Sequence, residues 1–535
     1  MKEILIINLG RYGDLIQTTP LLRVLKETYP SARVTLVAQK RFGAILPLIS
    51  RYDRCILLDQ DGLTRTLATS EGIPAAYGAL EQFLGSMEGV RYDLVLNLTS
   101  SDFSAHLVAL MDAAVVAGKT SDRDGRTLAM GEWGLYLYSF LRGDSRRYNR
   151  INLTDIFCNM AGLVPHGRPV ELHETEEGRR SASTLLNRVG KIDLPLVALQ
   201  LGASDPGRCW PAASFARLSD LLQETAGVRT VLLGSPGERT LADQARALMK
   251  HDPVDAVGST DIQGLFSTLR RCTLLVSNDT GTLHFAAAGG IPTVMLAVGP
   301  ASFFCTGPSS AGNLALRPPL PCFPCRYDLP CGNPVCRDSI TVESVYNACR
   351  LLLGTPLPEG DGYGIGLYRS DFAPDGYLQW QPLCHGNHDG EKLTRRYARL
   401  WKKVLGSGFK VQGSRFEVRG SEFKVQGSRF SHGDAPEPLF PELLRLTTEG
   451  RRVTQEIMTA AKLTPLPLSR ISALGEEEAG LESDIRCLAV TNPDLSPLVD
   501  FMTILKENIA ATDLHAIAAT THDIYARISH LVALL

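Results

Sequence analysis

Two hydrophobic patterns divide this chain. Up to about residue 350, short apolar runs alternate with longer stretches of helical period, as parallel strands buried on both faces alternate with crossover helices. Residues 3–8 predict a strand, residues 15–29 a helix carrying Leu15, Leu21, Leu22 and Leu25 with basic Arg23 and Lys26, and residues 33–38 a second strand. This βαβ opening predicts a doubly wound sheet. Further strands are expected at 55–58 and 92–98, and a second series at 194–201, 230–233, 272–277 and 293–298, closed by an amphipathic helix at 341–353. Residues 164–180 read as a hinge. Beyond Gly354 the pattern changes. Residues 355–400 are rich in Gly and aromatics, with a basic helix expected at 391–404, and near-identical heptads then start at Gly406, Gly413, Gly420 and Gly427. Gly-Ser recurs in each heptad and excludes a coiled coil, so the heptads read as a flexible linker or a marginal hairpin without a function of its own. Residues 436–535 return to helical spacing (Leu439, Leu443, Leu446; Leu498, Phe501, Leu505) and read as a small bundle for partner binding or oligomerisation. The expected organisation is two Rossmann-like lobes at 1–175 and 176–354, a linker at 355–435 and a helical domain at 436–535.

Composition narrows the class. A chain of 535 residues is long enough for roughly three domains at about 150 residues each. Its net charge of −2 gives no basic field for nucleic acid. No apolar run reaches the ~18 residues of a membrane span, and no signal peptide is evident at the start. Most of the 12 cysteines stand singly in apolar surroundings, which suits reduced thiols in a cytoplasm.

The chemistry concentrates in turns at predicted strand ends. Residues 278–281, Asn-Asp-Thr-Gly, follow a buried run and precede a small-residue helix that Gly289-Gly290 ends. Side-chain oxygens there can cap orphan N–H groups, and in open sheets such a strand-to-helix turn binds anions. Asp279 or Thr280 as a simple cap and His284 as a core histidine is the plain structural alternative. Gly10-Arg-Tyr-Gly13-Asp14 is a glycine-bracketed turn that lacks the dinucleotide fingerprint. Asp14 reads either as a helix cap or as a carboxylate kept ionised by the helix N-terminus. Asp59-Gln60-Asp61 and Asp122-Arg123-Asp124 offer D-x-D triplets that could hold a divalent metal under a diphosphate, although such triplets are common by chance. Arg146, Arg147 and Arg150 form a basic cluster, either a solvated helix start or a cradle for anionic sugars, and His106 reads as a helix-surface residue. Cys322, Cys325, Cys331 and Cys336 form a C-x2-C-x5-C-x4-C array: a structural zinc or iron site, or a loop of reduced or disulfide-bonded cysteines.

Three segments carry a resemblance. Gly13-Asp14-Leu-Ile-Gln-Thr-Thr-Pro20, Arg208-Cys-Trp210-Pro211 and Asp279-Thr-Gly-Thr-Leu-His284-Phe-Ala-Ala together resemble glycosyltransferase family 9, the ADP-heptose:lipopolysaccharide heptosyltransferases, over residues 1–353. Several members of the family carry a similar cysteine segment. The resemblance implies a GT-B architecture, two doubly wound Rossmann-like lobes facing a cleft, with the helical C-terminal extension outside it. It implies that Asp14 is the general base for the acceptor hydroxyl, with Gly13, Asn97 and Ser101 on the acceptor side. On the donor side it implies that Ser204 and Arg208 contact the diphosphate and Glu238 the ribose. Thr280 and Gly281 would meet the phosphates, His284 the sugar or diphosphate, and Asp279 would order the turn. Arg208 stands where the family has Lys or Arg and offers a bidentate fork. Ala203 replaces a threonine of close relatives, and Trp210 reads as packing.

The expected reaction is inverting transfer of a heptose from ADP-heptose to a lipopolysaccharide core or lipid A acceptor. No cofactor is required for it; a structural zinc or iron at the cysteine array is the one metal in view. The enzyme is expected in the cytoplasm, in peripheral contact with the inner face of the cytoplasmic membrane, with no nucleic-acid partner. Two alternatives stay open: a transferase of the same fold using another nucleotide sugar or a protein acceptor, and an idle sugar-nucleotide-binding scaffold.

Overall fold

The structure is a computed structural model that describes residues 1–69, 72–141, 143–188, 193–203, 205–326, 331–356, 365–384, 391–406, 440–463, 467–509 and 513–535. Its strands are β1 (Glu3–Asn8), β2 (Arg33–Gln39), β3 (Arg54–Leu58), β4 (Leu94–Asn97), β5 (Val116–Ser121), β6 (Thr127–Met130), β7 (Leu196–Gln200), β8 (Arg229–Leu233), β9 (Val254–Asp255), β10 (Leu274–Asn278), β11 (Thr293–Leu296), β12 (Leu314–Arg317), β13 (Gly366–Phe372) and β14 (Leu378–Cys384). The chain forms two compact units, one of residues 1–113 with 150–389, the other of residues 114–149 with 390–535.

The first unit holds two doubly wound lobes. In the first lobe β1 lies between β2 and β4, with β3 outside β2, all parallel. In the second, the parallel order is β12-β11-β10-β7-β8-β9. In each lobe the winding reverses beside the first strand, between β1 and β4 and between β7 and β10, and a crevice opens at the carboxyl ends of those strands. Ile4, Leu5, Ile6 and Ile7 of β1 and Leu274, Leu275 and Val276 of β10 are fully buried, which is why they read as unbroken apolar runs.

Two expectations in this unit are corrected. The helix expected at 15–29 is two helices, Tyr12–Gln17 and Thr19–Thr28, parted at Thr18. Pro20 has no N–H to give the Ile16 carbonyl, and the Thr19 hydroxyl donates to that carbonyl instead at 2.7 Å. Residues 366–384, inside the stretch assigned to a linker, form the antiparallel β13–β14 hairpin that extends the second sheet beyond β12. Trp380 of this hairpin packs edge-on and Tyr368 tilted against Phe303, at 5.1 and 5.0 Å between ring centroids. The hairpin covers an edge that would otherwise expose the unpaired backbone groups of β12.

The second unit combines the antiparallel β5–β6 pair and helix Glu132–Phe140 with helices Glu391–Gly406, Phe440–Ala460, Leu468–Thr491, Ser496–Glu507 and Leu514–Leu534. The helical tail and the 114–149 segment thus share one core. Trp401 packs against Tyr136 and Phe501 at 5.4 and 5.0 Å. Asn508 bonds the Ala129 backbone in both directions, donating to its carbonyl at 2.6 Å and accepting from its N–H at 3.0 Å, and so stands in for a strand at the edge of β6. Lys506 is held by Glu478 and Glu482, and the Tyr525 hydroxyl donates to Glu478 at 2.8 Å. The heptads at 407–430 lie outside the described residues. Among the described residues no helix is long and apolar enough to cross a membrane.

Gly450 lets two helices of this unit approach closely: a Cβ there would stand 2.6 Å from the Tyr525 ring. Gly450→Ala is therefore expected to cost about 1–3 kcal/mol through overpacking. Urea denaturation followed by circular dichroism reads this as a lower midpoint, and an unchanged midpoint would contradict the packing.

Candidate active site

On the first lobe, Asn8 at the end of β1 folds the turn that follows. Its Oδ1 accepts from the Gly10 N–H at 2.9 Å, and its Nδ2 donates to the Asp14 carbonyl at 3.0 Å and the Thr18 hydroxyl at 2.8 Å. The Leu9 N–H reaches across to the Thr99 hydroxyl at 2.8 Å, tying this turn to the loop after β4. Asp14 lies in the first turn of its helix and accepts the Arg11 N–H at 2.7 Å. Its carboxylate folds back over Gly10, where a Cβ would stand 2.5 Å from Oδ2. Burial raises the Asp14 pKa above the ordinary aspartate value, against the Arg11 N–H and guanidinium, which lower it. This corrects the expectation that the helix N-terminus settles its ionisation: desolvation is the larger effect. Asn97 is fully buried, donating to Ser104 Oγ at 3.1 Å and accepting from the Thr99 N–H at 3.0 Å, and Ser101 caps its helix through the Ser104 N–H at 3.2 Å. Both shape the loop after β4.

On the second lobe, Arg208 and Asp279 form an ion pair, each side chain only 15% and 13% exposed, and Arg208 Nε has no partner among the described residues. Asn278, the last residue of β10 and fully buried, is the staple of this crevice. It accepts the Trp210 N–H at 2.9 Å and donates to the Leu201 carbonyl at 2.7 Å, joining β10 to the loop after β7. Trp210 is buried, with its indole N–H on the Ile340 carbonyl at 2.8 Å and its ring edge-on to Phe215, which bears out its reading as packing. Thr280 precedes helix Gly281–Ala288 but does not cap it; its hydroxyl meets Ser277 Oγ at 3.0 Å instead. The first N–H groups of that helix are therefore left without a side-chain cap, contrary to the capping expectation. Glu238 folds over Gly202, where a Cβ would fall 1.6 Å from its Oε1. It accepts from the Ser235 N–H at 2.6 Å and from Gln200 Nε2 at 3.1 Å, and Gln200 Oε1 accepts from Thr282 at 3.3 Å. A hydrogen-bonded chain thus runs from the first turn of the Gly281–Ala288 helix to Glu238. Ser204 lies outside the described residues.

The two lobes meet at these turns. Gly13 lies against His284: a Cβ on Gly13 would stand 2.9 Å from His284 Cδ2, and one on Gly281 would stand 3.7 Å from the Gly13 nitrogen. Tyr12 packs edge-on to Phe285 at 6.3 Å. His284 is 6% exposed, and burial pushes its pKa down to about 4, with the Asp279 charge opposing. The ring is neutral at physiological pH. Gln17 Nε2 lies 3.4 Å from His284 Nε2. Gln17 Oε1 and His284 Nδ1 are both buried without a partner among the described residues.

Other sequence candidates have structural tasks. Asp59 caps its helix through the Gly62 N–H and pairs with Lys40, Asp61 pairs with Arg41, and Asp122 accepts the Asp124 and Arg126 N–H groups of a turn. Arg150 lies over the Phe304 ring at 3.8 Å, Arg147 pairs with Asp144, Arg146 is buried, and His106 is exposed. Of the cysteine array, Cys336 is buried, Cys325 half-buried, and Cys322 and Cys331 exposed. Among the described residues no group of three or more His, Cys, Asp or Glu is placed to hold a metal ion, so the array does not fit the tetrahedral site its spacing suggested. Sequence reasoning does not single out Asn8, Gln17, Gln200 or Thr282, and it takes Asn278 only as part of the capping turn at 278–281. A polar residue closing an otherwise apolar strand, as Asn8 and Asn278 do, was the available signal.

Comparison with known proteins adds to this geometry. The sequence model of glycosyltransferase family 9 (heptosyltransferase) matches residues 81–329. Lipooligosaccharide heptosyltransferase 2 of Haemophilus ducreyi is 24% identical over 330 residues, covering 59% of this chain and 88% of that protein. Lipopolysaccharide heptosyltransferase 2 of Salmonella typhimurium is 26% identical over 334 residues, with the same coverage. The crystal structure of a family 9 glycosyl transferase from Veillonella parvula superposes with a TM-score of 0.52 at 22% identity, covering 66% of this chain and 97% of that one. The fold is GT-B.

Asn278→Ala leaves the Trp210 N–H and Leu201 carbonyl buried and unpaired, an expected cost of about 2–4 kcal/mol. Chemical denaturation measures it. A change under ~0.5 kcal/mol would show that Asn278 is not the staple of this crevice.

Proposed function

We propose that this chain, which belongs to glycosyltransferase family 9 and is a glycosyltransferase, moves a heptose from ADP-heptose to a lipopolysaccharide core acceptor with inversion at the anomeric carbon. The observation that carries the reading is the abutment of Gly13 on His284, since it puts the Asp14 turn of one lobe beside the Asp279–His284 turn of the other. The names of the relatives support a heptose and a lipopolysaccharide or lipooligosaccharide.

In this reading the donor lies at the carboxyl ends of β7 and β10. Arg208 and the uncapped N–H groups beginning the Gly281–Ala288 helix hold the diphosphate. Glu238 accepts from the ribose diol, Ser204 adds a hydroxyl contact, and Asp279 keeps Arg208 in place. The acceptor enters from the first lobe beside Gly13, Asn97 and Ser101. Asp14 takes the proton of its attacking hydroxyl, the oxygen bonds to the anomeric carbon, and the bond to the nucleoside diphosphate breaks on the opposite face. Arg208 and the helix N–H groups stabilise the charge on the leaving diphosphate. A raised carboxyl pKa suits the base, because proton transfer improves as its pKa approaches the working pH. The acceptor, a membrane lipid, brings the enzyme to the cytoplasmic face of the inner membrane as a peripheral protein.

Incubation of the full-length protein with ADP-heptose and competing lipid and protein acceptors, followed by mass spectrometry, tests this. Gain of one heptosyl unit on the lipid alone is the expected result; transfer to protein, or to neither, would overturn it. Asp14→Asn should lower kcat by about 10²–10⁴ and leave donor KM within about twofold. It should not lower stability at pH 7. A carboxyl whose folded pKa is raised costs stability above that pKa, and the amide removes this cost. A destabilised Asp14→Asn with normal turnover would make Asp14 a cap and not a base.

A further inference from the structure

The proposed reaction assigns no role to Gln17, yet this side chain is 2% exposed at the junction of the lobes, and its Oε1 has no partner among the described residues. Its amide nitrogen has two neighbours, the Gly13 carbonyl at 3.3 Å and His284 Nε2 at 3.4 Å. The Gly13 carbonyl can only accept, so the amide must turn its N–H₂ group, not its oxygen, to this side. The same N–H₂ group then faces His284 Nε2, which must be the bare, accepting nitrogen of a neutral ring. The ring proton is left on Nδ1, which is buried and unpartnered among the described residues. The ring cannot easily turn away, because Gly13 lies under its Cδ2 edge.

We infer that Gln17 is a positioning residue that holds His284 in the Nδ1–H tautomer, so that His284 offers the sugar nucleotide a neutral hydrogen-bond donor whose form is set from the opposite lobe. This rests on the reading of His284 as a donor-substrate contact. A buried N–H without a partner is costly, and an oxygen of a nucleoside diphosphate sugar satisfies it. Of the described elements packed against the Gly281–Ala288 helix, the Tyr12–Gln17 helix carries Tyr12 and Asp14, and Arg270, just past helix Ile262–Leu269, donates to the Gly289 carbonyl at the far end at 3.3 Å. Asp279 stands in the turn before it, and β10, β11 and helix Ile262–Leu269 contribute none. Burial outweighs the Asp279 charge, so the His284 ring stays neutral near pH 7.

The test is a long-range 15N–1H spectrum of histidine-labelled full-length protein at pH 7, with His284 assigned by its loss in His284→Phe. The wild type should carry its proton on Nδ1. In Gln17→Met and Gln17→Glu the proton should move to Nε2, and donor KM should rise about tenfold with kcat changed far less. In Gln17→Glu a carboxylate faces the ring and raises its pKa, so lowering the pH restores the Nδ1 proton. Donor KM in that variant should therefore fall from pH 8.5 to pH 6, while the wild-type value stays flat. A wild-type proton on Nε2 would overturn the inference, whether or not the variants fold. So would an Nδ1 proton that persists in Gln17→Met, or a Gln17→Glu donor KM that stays flat with pH. The tautomer is read without substrate. An Nδ1–H ring in a protein that does not use ADP-heptose would therefore count against the proposed function, and the reverse outcome would count against this inference.

Discussion

The site depends on a single close approach, the Gly13 backbone lying on the edge of the His284 ring. With a Cβ there 2.9 Å from Cδ2, no side chain larger than hydrogen fits without moving the ring or parting the two helices. The rest of the site is arranged about this contact. Asn8 folds the first-lobe turn so that Gly13 is presented, and Asn278 fixes the second-lobe strand from which the His284 helix departs. Both asparagines close a central strand at the point where its sheet reverses winding, Asn8 on the first strand of its lobe and Asn278 on the strand that lies beside the first. Each spends a short amide side chain on loop backbone, Asn8 on the turn that follows it and Asn278 on the loop after the neighbouring β7.

Burial acts in opposite chemical directions on the two titratable groups at the junction. It raises the Asp14 carboxyl and lowers the His284 imidazole, because each charged form loses hydration. The one becomes a better proton acceptor and the other a neutral ring. Beside this junction the second lobe places the positive charge of Arg208, held by Asp279, with its Nε unpartnered among the described residues. Acidic and basic duties are thereby separated between lobes, with the neutral histidine between them.

Much of this was legible in the sequence, for local reasons. β1 and β10 are apolar on both faces and announce themselves, and the Asp279–His284 turn reads as a strand-to-helix corner from its glycines and small residues. What was hidden depends on partners distant in the chain. The β13–β14 hairpin pairs with β12 across about fifty residues, and its Gly-rich, aromatic sequence reads as loop until that edge is known. Residues 114–149 share a core with the tail beyond 390, which no local period reveals. Gln17 looks like an ordinary polar residue within a helix until the second lobe places His284 beside it. The thiol spacing of the cysteine array was plain, but spacing alone does not bring thiols together, and two of the four face solvent.

The most direct test of the account is calorimetric titration of the full-length protein with ADP, UDP and GDP. One site is expected, at the carboxyl ends of β7 and β10, that binds ADP more tightly than the other two and loses it in Arg208→Ala. Tighter binding of UDP or GDP would contradict the proposed donor. Binding of none, or ADP binding untouched by Arg208→Ala, would contradict the placement of the donor site itself.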